Sequence, residues 1–299
     1  MAQLERPMKR PDPTVGRPTL LEWVCVLGMI ESFTLAASGK WNRNMRIRVL
    51  GCSGGIGNGA QTTALLVDDD ILIDAGTGVA DLSLDAMAAI DHVFLTHSHL
   101  DHVVSIPFLL DSVGSRRAPK PLTVHAQAAT LDVLRTHVFN NALWPDFSAI
   151  PSRQQPYVRF ETLAPGESIT LGQRQLRSIP VNHTVPAVAY LLGNGRATFA
   201  FSGDTCTTEA YWQALNACTD LRHVVIETSF LDEEEALSRL SGHLCPRLLV
   251  EELKKLKAGA DVYITHLMPG EEEAIMAEIR KQLPNKPPQA LRAGMVFEL

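Results

Sequence analysis

His97, His99, Asp101 and His102 spell H-x-H-x-D-H, and all four side chains can bind a metal ion. Imidazole nitrogen with carboxylate oxygen suits zinc, iron or manganese, and no cysteine stands nearby to favour a closed thiolate site. His97 and His99 are two positions apart, so an extended segment turns both rings to one side. Asp101 and His102 are adjacent, and in an extended chain their side chains diverge and do not readily share one coordination sphere. Four ligands that split two and two suggest a pair of neighbouring metals. Three of the chain's ten histidines plus an aspartate lie in this one short run, which is too dense for a solvated turn.

The elements around the run must hold it in place. Val93, Phe94 and Leu95 read as a short buried strand, and the histidines begin where it ends. A helix follows through Ile106, Phe108, Leu109 and Leu110, with Ser105 as its cap and Pro107 in its first turn. Upstream, residues 45–50 read as a strand and residues 51–60 as a glycine-rich loop. Gly55, Gly57 and Ala60 match a dinucleotide fingerprint by letter, but that motif requires a following helix. Strands over 62–66 and 71–73 follow instead, so the fingerprint is rejected. The second of them ends on Asp74, and a helix over 80–90 leads to the strand before His97.

Downstream, residues 121–125 read as a strand, 128–139 as a helix and 140–147 as an aromatic loop. His125 and His137 have no ligand-like neighbours and read as structural or exposed. Paired strands are expected over 158–170 and 175–181, with Gly166 and Gly172 marking turns. His183 follows the second, and a hairpin over 187–192 and 197–201 runs into Ser202-Gly203-Asp204-Thr205. Further on, a strand over 223–226 ends on Glu227, an acidic helix covers 232–240, and His243 precedes another helix. The strand over 262–265 ends on His266, before a helix over 271–283 and a closing strand over 293–299.

With 299 residues, 45% hydrophobic and 20% charged, the composition is that of a soluble globular protein. A formal charge of −6 argues against a broad nucleic-acid surface, while a small anion held by metals remains compatible. Five scattered cysteines without a C-x-x-C pair favour a reducing compartment, hence the cytoplasm. Residues 1–44 differ from the rest of the chain, with a proline-rich basic start and then an apolar run over 23–30 too short to span a bilayer. We expect a disordered or non-native extension over 1–44 and one hydrolase domain over 45–299.

His97 to His102 resembles the signature of the metallo-β-lactamase superfamily. The run from His99 through Ile106, Phe108, Leu109, Leu110 and Asp111-Ser112 is similar to the class II 3′,5′-cyclic-nucleotide phosphodiesterases, relatives of the tRNA 3′-endonucleases. Pro107 departs from that pattern. The resemblance covers about 45–299 and implies a four-layer αββα sandwich. It implies that His97, His99 and His183 bind a first metal, that Asp101, His102 and His266 bind a second, and that Asp204 bridges them. The two divalent ions are expected to be zinc, with iron or manganese as alternatives. Asp74 would support the metal loop from behind, and the aromatic loop over 140–147 would lie near the substrate. Asp101, His243 and Glu227 are the implied catalytic residues, with His243 as proton donor and Glu227 orienting it.

The implied activity is hydrolysis of cAMP or cGMP to the 5′-monophosphate, by a hydroxide that bridges the two metals. The implied partner is that small molecule, with no extended nucleic acid and no membrane, and a homodimer is allowed. Alternatives are an RNA 3′-endonuclease, a lactonase or β-lactamase, or a non-catalytic metal-binding protein.

Overall fold

The strands alternate between two apolar environments, as a period of two requires. Leu72 and Val93 face one layer of helices, whereas their neighbours Ile71, Ile73 and Phe94 face a second sheet. Val224 and Ile226 turn to another helical layer, while Val225 turns inward. Three apolar layers therefore separate four layers of secondary structure, which is the expected αββα sandwich. A computed structural model describes residues 44–299, and the extension expected before Met45 lies outside them apart from Asn44.

The first half carries β1 (Arg46–Gly51), β2 (Ala64–Val67), β3 (Ile71–Ile73), α1 (Leu84–Ala89), β4 (His92–Phe94), α2 (Leu100–Val103) and α3 (Ser105–Arg117). β5 (Leu122–Ala126), α4 (Ala128–Val133) and β6 (Val158–Thr162) complete it. The second half carries β7 (Ser168–Leu171), β8 (Arg174–Val181), β9 (Ala187–Gly193), β10 (Thr198–Phe201), α5 (Ala210–Asn216) and β11 (Leu221–Glu227). It ends with α6 (Glu235–Ser241), α7 (Pro246–Leu253), β12 (Asp261–Thr265), α8 (Glu272–Gln282), β13 (Gln289–Ala290) and β14 (Val296–Glu298). The sheets run β14-β1-β2-β3-β4-β5-β6 and β13-β12-β11-β10-β9-β8-β7. Each is antiparallel on one side and parallel on the other, from β3 to β6 and from β10 to β13. Parallel strands send their carboxyl ends to one edge, where such sheets place their ligands. Asp74, His97, Asp204, Glu227 and His266 all sit at those ends.

Three expectations need correction. The stretch over 158–170, expected to pair with 175–181, is two strands in different sheets: β7 pairs with β8, whereas β6 pairs with β5. Leu163 is buried between the sheets, and Gly166 makes the turn at a φ of 91°. Ser105 does not cap a helix: its hydroxyl donates to Gly76 O at 2.7 Å, tying α3 to the loop after β3. Helix α2 begins at Leu100, directly after His99, where an extended chain was expected. β13, only two residues long beside Pro287 and Pro288, carried no legible pattern.

His125 is buried, with its ring stacked on Phe94 at 4.4 Å and its Nε2 3.0 Å from His92 Nδ1. Burial, then the like charge of His92, pushes His125 down to about 4. An unfolded imidazole takes its proton near 6.5, so the fold is penalised progressively as pH drops from about 6.5 to about 4. The penalty reaches at most about 3 kcal/mol at the low end. His125→Phe is expected to flatten this part of the stability curve. Denaturant unfolding across that pH range checks it, and parallel curves for variant and wild type would clear the pair of blame.

Candidate metal centre

The seven expected ligands converge. His97, His99, His183 and Asp204 bring one donor atom each within 4.8 Å of one another, and so do Asp101, His102, Asp204 and His266. Asp204 belongs to both groups. Its Oδ2 lies 3.6 Å from His97 Nε2 and 4.0 Å from His183 Nε2 on one side. On the other it lies 3.2 Å from both His102 Nε2 and His266 Nε2. Gly203 delivers it with a φ of 58°, and a Cβ there would stand 2.8 Å from Thr96 Cγ2, so glycine is required on both counts.

Asp101 and His102 fall in one group, against the expectation that adjacent side chains diverge. That expectation assumed an extended chain. Both residues lie on α2, where successive side chains are about 100° apart rather than opposed. His102 Nε2 and Asp101 Oδ2 are 3.3 Å apart as a result. His97 and His99, still in extended backbone, share a side as expected.

Four of the five imidazoles in the two groups, those of His97, His102, His183 and His266, are aimed from behind, as is that of His243. Asp74, fully buried, accepts from His102 Nδ1 at 2.7 Å and from the Thr96 amide and hydroxyl, each at 2.8 Å. Thr96 Oγ1 in turn lies 3.0 Å from His97 Nδ1, so one carboxylate orients two rings. Glu227 does the same on the other sheet. It is fully buried and lies 2.8 Å from His243 Nδ1. It also accepts from Ser229 Oγ at 3.2 Å, whose oxygen is 2.9 Å from His266 Nδ1. The amides of Thr205 and Leu244 donate to Glu227 as well. His183 Nδ1 is held by Gly242 O at 2.9 Å. Anchoring Nδ1 fixes the tautomer and leaves Nε2 as the ligand atom. Sequence reasoning missed Thr96, Ser229 and the Gly242 carbonyl. The first two carry a faint signal, as hydroxyl residues within two positions of His97 and Glu227.

Asp74 and His266 adopt left-handed backbone, with φ of 56° and 61°. Both follow a strand, β3 and β12, and this bend turns the side chain into the cluster. Such strain persists only where the surroundings fix it, and it gathers at functional sites. Here the amide of His266 donates to Cys52 O at 2.8 Å.

The donor set fits cations. His97 Nε2 is buried without a hydrogen-bond partner. His102 Nε2 lies 3.3 Å from Asp101 Oδ2 and 3.2 Å from Asp204 Oδ2, yet is buried without a hydrogen bond to either. Burial holds His97 well below the usual imidazole range, which keeps its lone pair free. Burial also opposes charge on His102, but Asp204 and Asp74 outweigh it and raise its pKa well above the usual value. Burial pushes the Asp101 carboxyl up, while the imidazoles of His102 and His266 more than offset this and hold it far down. The raised pKa of His102 means that a proton competes with a metal for this ring. Apparent metal affinity is therefore expected to rise with pH across the neutral range. Metal-buffered titrations at several pH values check this, and a flat dependence would contradict it.

The cluster floors an open cleft of about 560 Å³, also lined by Ile56, Leu100, Val104, Phe230, His243 and Met268. A larger hollow of about 600 Å³ includes none of the seven ligands. Three of its carboxylates are paired, Asp68 and Asp70 with Arg174 and Asp69 with Arg46.

Residues 69–267 match the family model described as the beta-lactamase superfamily domain. A probable 3′,5′-cyclic-nucleotide phosphodiesterase of Yersinia pestis is 28% identical over 91% of this chain and 91% of its own length. A ribonuclease Z of Bradyrhizobium diazoefficiens is 28% identical over 74% of this chain and 89% of its own. Unliganded yeast PDE1 superposes with a TM-score of 0.73 at 18% identity, covering 86% of this chain and 100% of that one, a likeness of fold.

Proposed function

We propose that this chain, which belongs to the beta-lactamase superfamily and is a hydrolase of that fold, opens 3′,5′-cyclic nucleotides to 5′-monophosphates. The observation that carries the reading is the His243–Glu227 pair, 2.8 Å apart and outside the seven ligands yet on the same cleft. A cyclic phosphodiester leaves through a ribose 3′-alkoxide, which needs a proton, and a lactamase or lactonase has no evident use for this pair. The cyclic-nucleotide phosphodiesterase relative matches nearly the whole of both chains, which supports the same reading.

His97, His99 and His183 would hold one divalent cation, and Asp101, His102 and His266 a second, with Asp204 between them; zinc fits this donor set, as do iron and manganese. Such a pair lowers the pKa of a water and takes up the charge that builds on phosphoryl oxygens. The rest is done by the chain. Asp74 and Glu227 keep the rings they hold aligned, which removes reorientation from the barrier. His243 carries its second proton on Nε2, facing the cleft, and gives it to the departing O3′ as the P–O3′ bond breaks. Glu227, fully buried, acts on the substrate only through the ring it holds.

A second reading, an RNA 3′-endonuclease, is favoured by the ribonuclease Z relative. The formal charge of −6 weighs against it, since a long polyanion binds through clustered Lys and Arg. The four cysteines among the described residues are free thiols, which supports a reducing, cytoplasmic setting. No helix among the described residues is long and apolar enough to cross a membrane. The test is a panel of cAMP, cGMP, bis(4-nitrophenyl) phosphate and a 3′-extended tRNA precursor. We expect 5′-monophosphate from the cyclic nucleotides. Cleavage of the precursor with no action on cyclic nucleotides would replace this reading by the second.

A further inference from the structure

Leu100 stands between two ligands, His99 and Asp101, yet 66% of its surface is exposed. A leucine so placed forgoes the stabilisation that burial supplies. The amide of Val104 donates to Leu100 O at 2.8 Å, so α2 continues into α3 along one helical path. Leu100, Val104 and Phe108, spaced by four, therefore share a face. The first two line the cleft and Phe108 is 54% exposed. Trp144, from the aromatic loop, packs edge-on against Phe108 with ring centroids 5.2 Å apart. Ile56, on the glycine-rich loop, lines the same cleft and is 70% exposed. Scattered exposed apolar residues are ordinary, but a row that starts at a metal cluster is not.

We infer that this row is the subsite for the base of the substrate, which lies along Leu100 and Val104 against Phe108, with Ile56 lining the same cleft. The inference rests on reading the site as a cyclic-nucleotide phosphodiesterase. Whatever covers Leu100 sits one residue from His99 and from Asp101, so it is part of the molecule whose phosphorus the metals hold. No charged side chain lies on the row, and its one polar group, the Trp144 indole N–H, is buried. Recognition is therefore by the flat face of the ring and not by its hydrogen-bonding edge. A purine, with more stacking area, binds better than a pyrimidine. Beyond Phe108 the same face reaches Asp111 and Ser112, both exposed. A carboxylate there opposes continuation of a polyanionic chain, which fits a mononucleotide.

Two substrates isolate the base: a 3′,5′-cyclic purine nucleotide and the 3′,5′-cyclic phosphate of methyl riboside, identical but for the base. In the metal-loaded protein, Phe108→Ala and Trp144→Ala are expected to lower the ratio of the two kcat/KM values roughly 5- to 100-fold, the scale of base stacking on aromatic rings. The loss should lie in KM, with both metals retained, and Trp144→Phe should recover most of it. Phe108 is half exposed, so its removal leaves the core intact. An unchanged ratio in both alanine variants, with the wild type active on the nucleotide, would overturn the subsite and leave the phosphodiesterase standing. A wild type inactive on both cyclic phosphates would remove both.

Discussion

Asp204→Ala is expected to strip most of the bound metal from the chain and to lower turnover at least about 10³-fold. The figure follows from several kcal/mol of transition-state stabilisation supplied by metals, at roughly ten-fold per 1.4 kcal/mol. Among the described residues, Asp204 Oδ2 is the one carboxylate oxygen within 4.0 Å of imidazole nitrogens from both groups. Without it, four rings converge with no anion common to them, and each group drops from four donors to three. Elemental analysis of the dialysed protein, with turnover on the same sample, checks the expectation. Two metals per chain at wild-type turnover in the variant would dismiss a shared carboxylate as the organising feature. Because metal binds only the folded chain, the wild type should also gain melting temperature on loading, and the variant should gain less.

The centre was legible in sequence because its ligands sit where short-range patterns change. His97 begins where the apolar run over 93–95 ends, Asp204 where β10 ends, and His266 where β12 ends. Each carboxyl end is readable from a strand's alternation and its stop. What joins them is not local: His99 and His183 meet across 84 positions and Asp101 and His266 across 165, and only family resemblance supplied that pairing. The reading of Asp101 and His102 failed for a related reason. Periodicity cannot resolve a helix as short as α2, four residues, so its onset at Leu100 went unseen. The pairing of 158–170 with 175–181 failed in its first half because the partner of β6 is β5, a neighbour that no local pattern names.

Asp74 and Glu227 stand behind the rings where the resemblance puts them, and each reaches a second ring through a hydroxyl. Each closes a parallel strand, each is fully buried, and each fixes two imidazoles, one of them through a hydroxyl. The two sheets thus repeat one device at the same edge. On the first sheet both rings belong to the candidate ligand groups. On the second, Glu227 holds one such ring, His266, and one outside them, His243. Loss of Glu227 is therefore expected to disturb metal binding and proton transfer together, and only a substitution at His243 would separate them.

His243→Ala is expected to keep both metals while losing roughly 10²–10⁴-fold in turnover on a cyclic nucleotide, the usual scale for general acid catalysis. Burial disfavours charge on His243, but the Glu227 carboxylate 2.8 Å away outweighs it and raises the imidazole to about 9. An acid must hold its proton when the leaving group departs, and a pKa above neutrality keeps it charged at pH 7. The wild-type rate should therefore fall as pH rises through about 9, and that limb should vanish in the variant. The leaving group supplies the second discriminator. Nitrophenolate departs with little need of a proton, whereas a ribose alkoxide is a strong base that needs one in the transition state. The variant's deficit should accordingly be largest on the cyclic nucleotide and small on bis(4-nitrophenyl) phosphate, with metal content equal throughout. A structural role for His243, which stacks at 5.1 Å on His266, would depress both substrates alike and leave the alkaline limb in place. Equal losses would thus hand the proton to another group, and unequal ones assign it to this histidine.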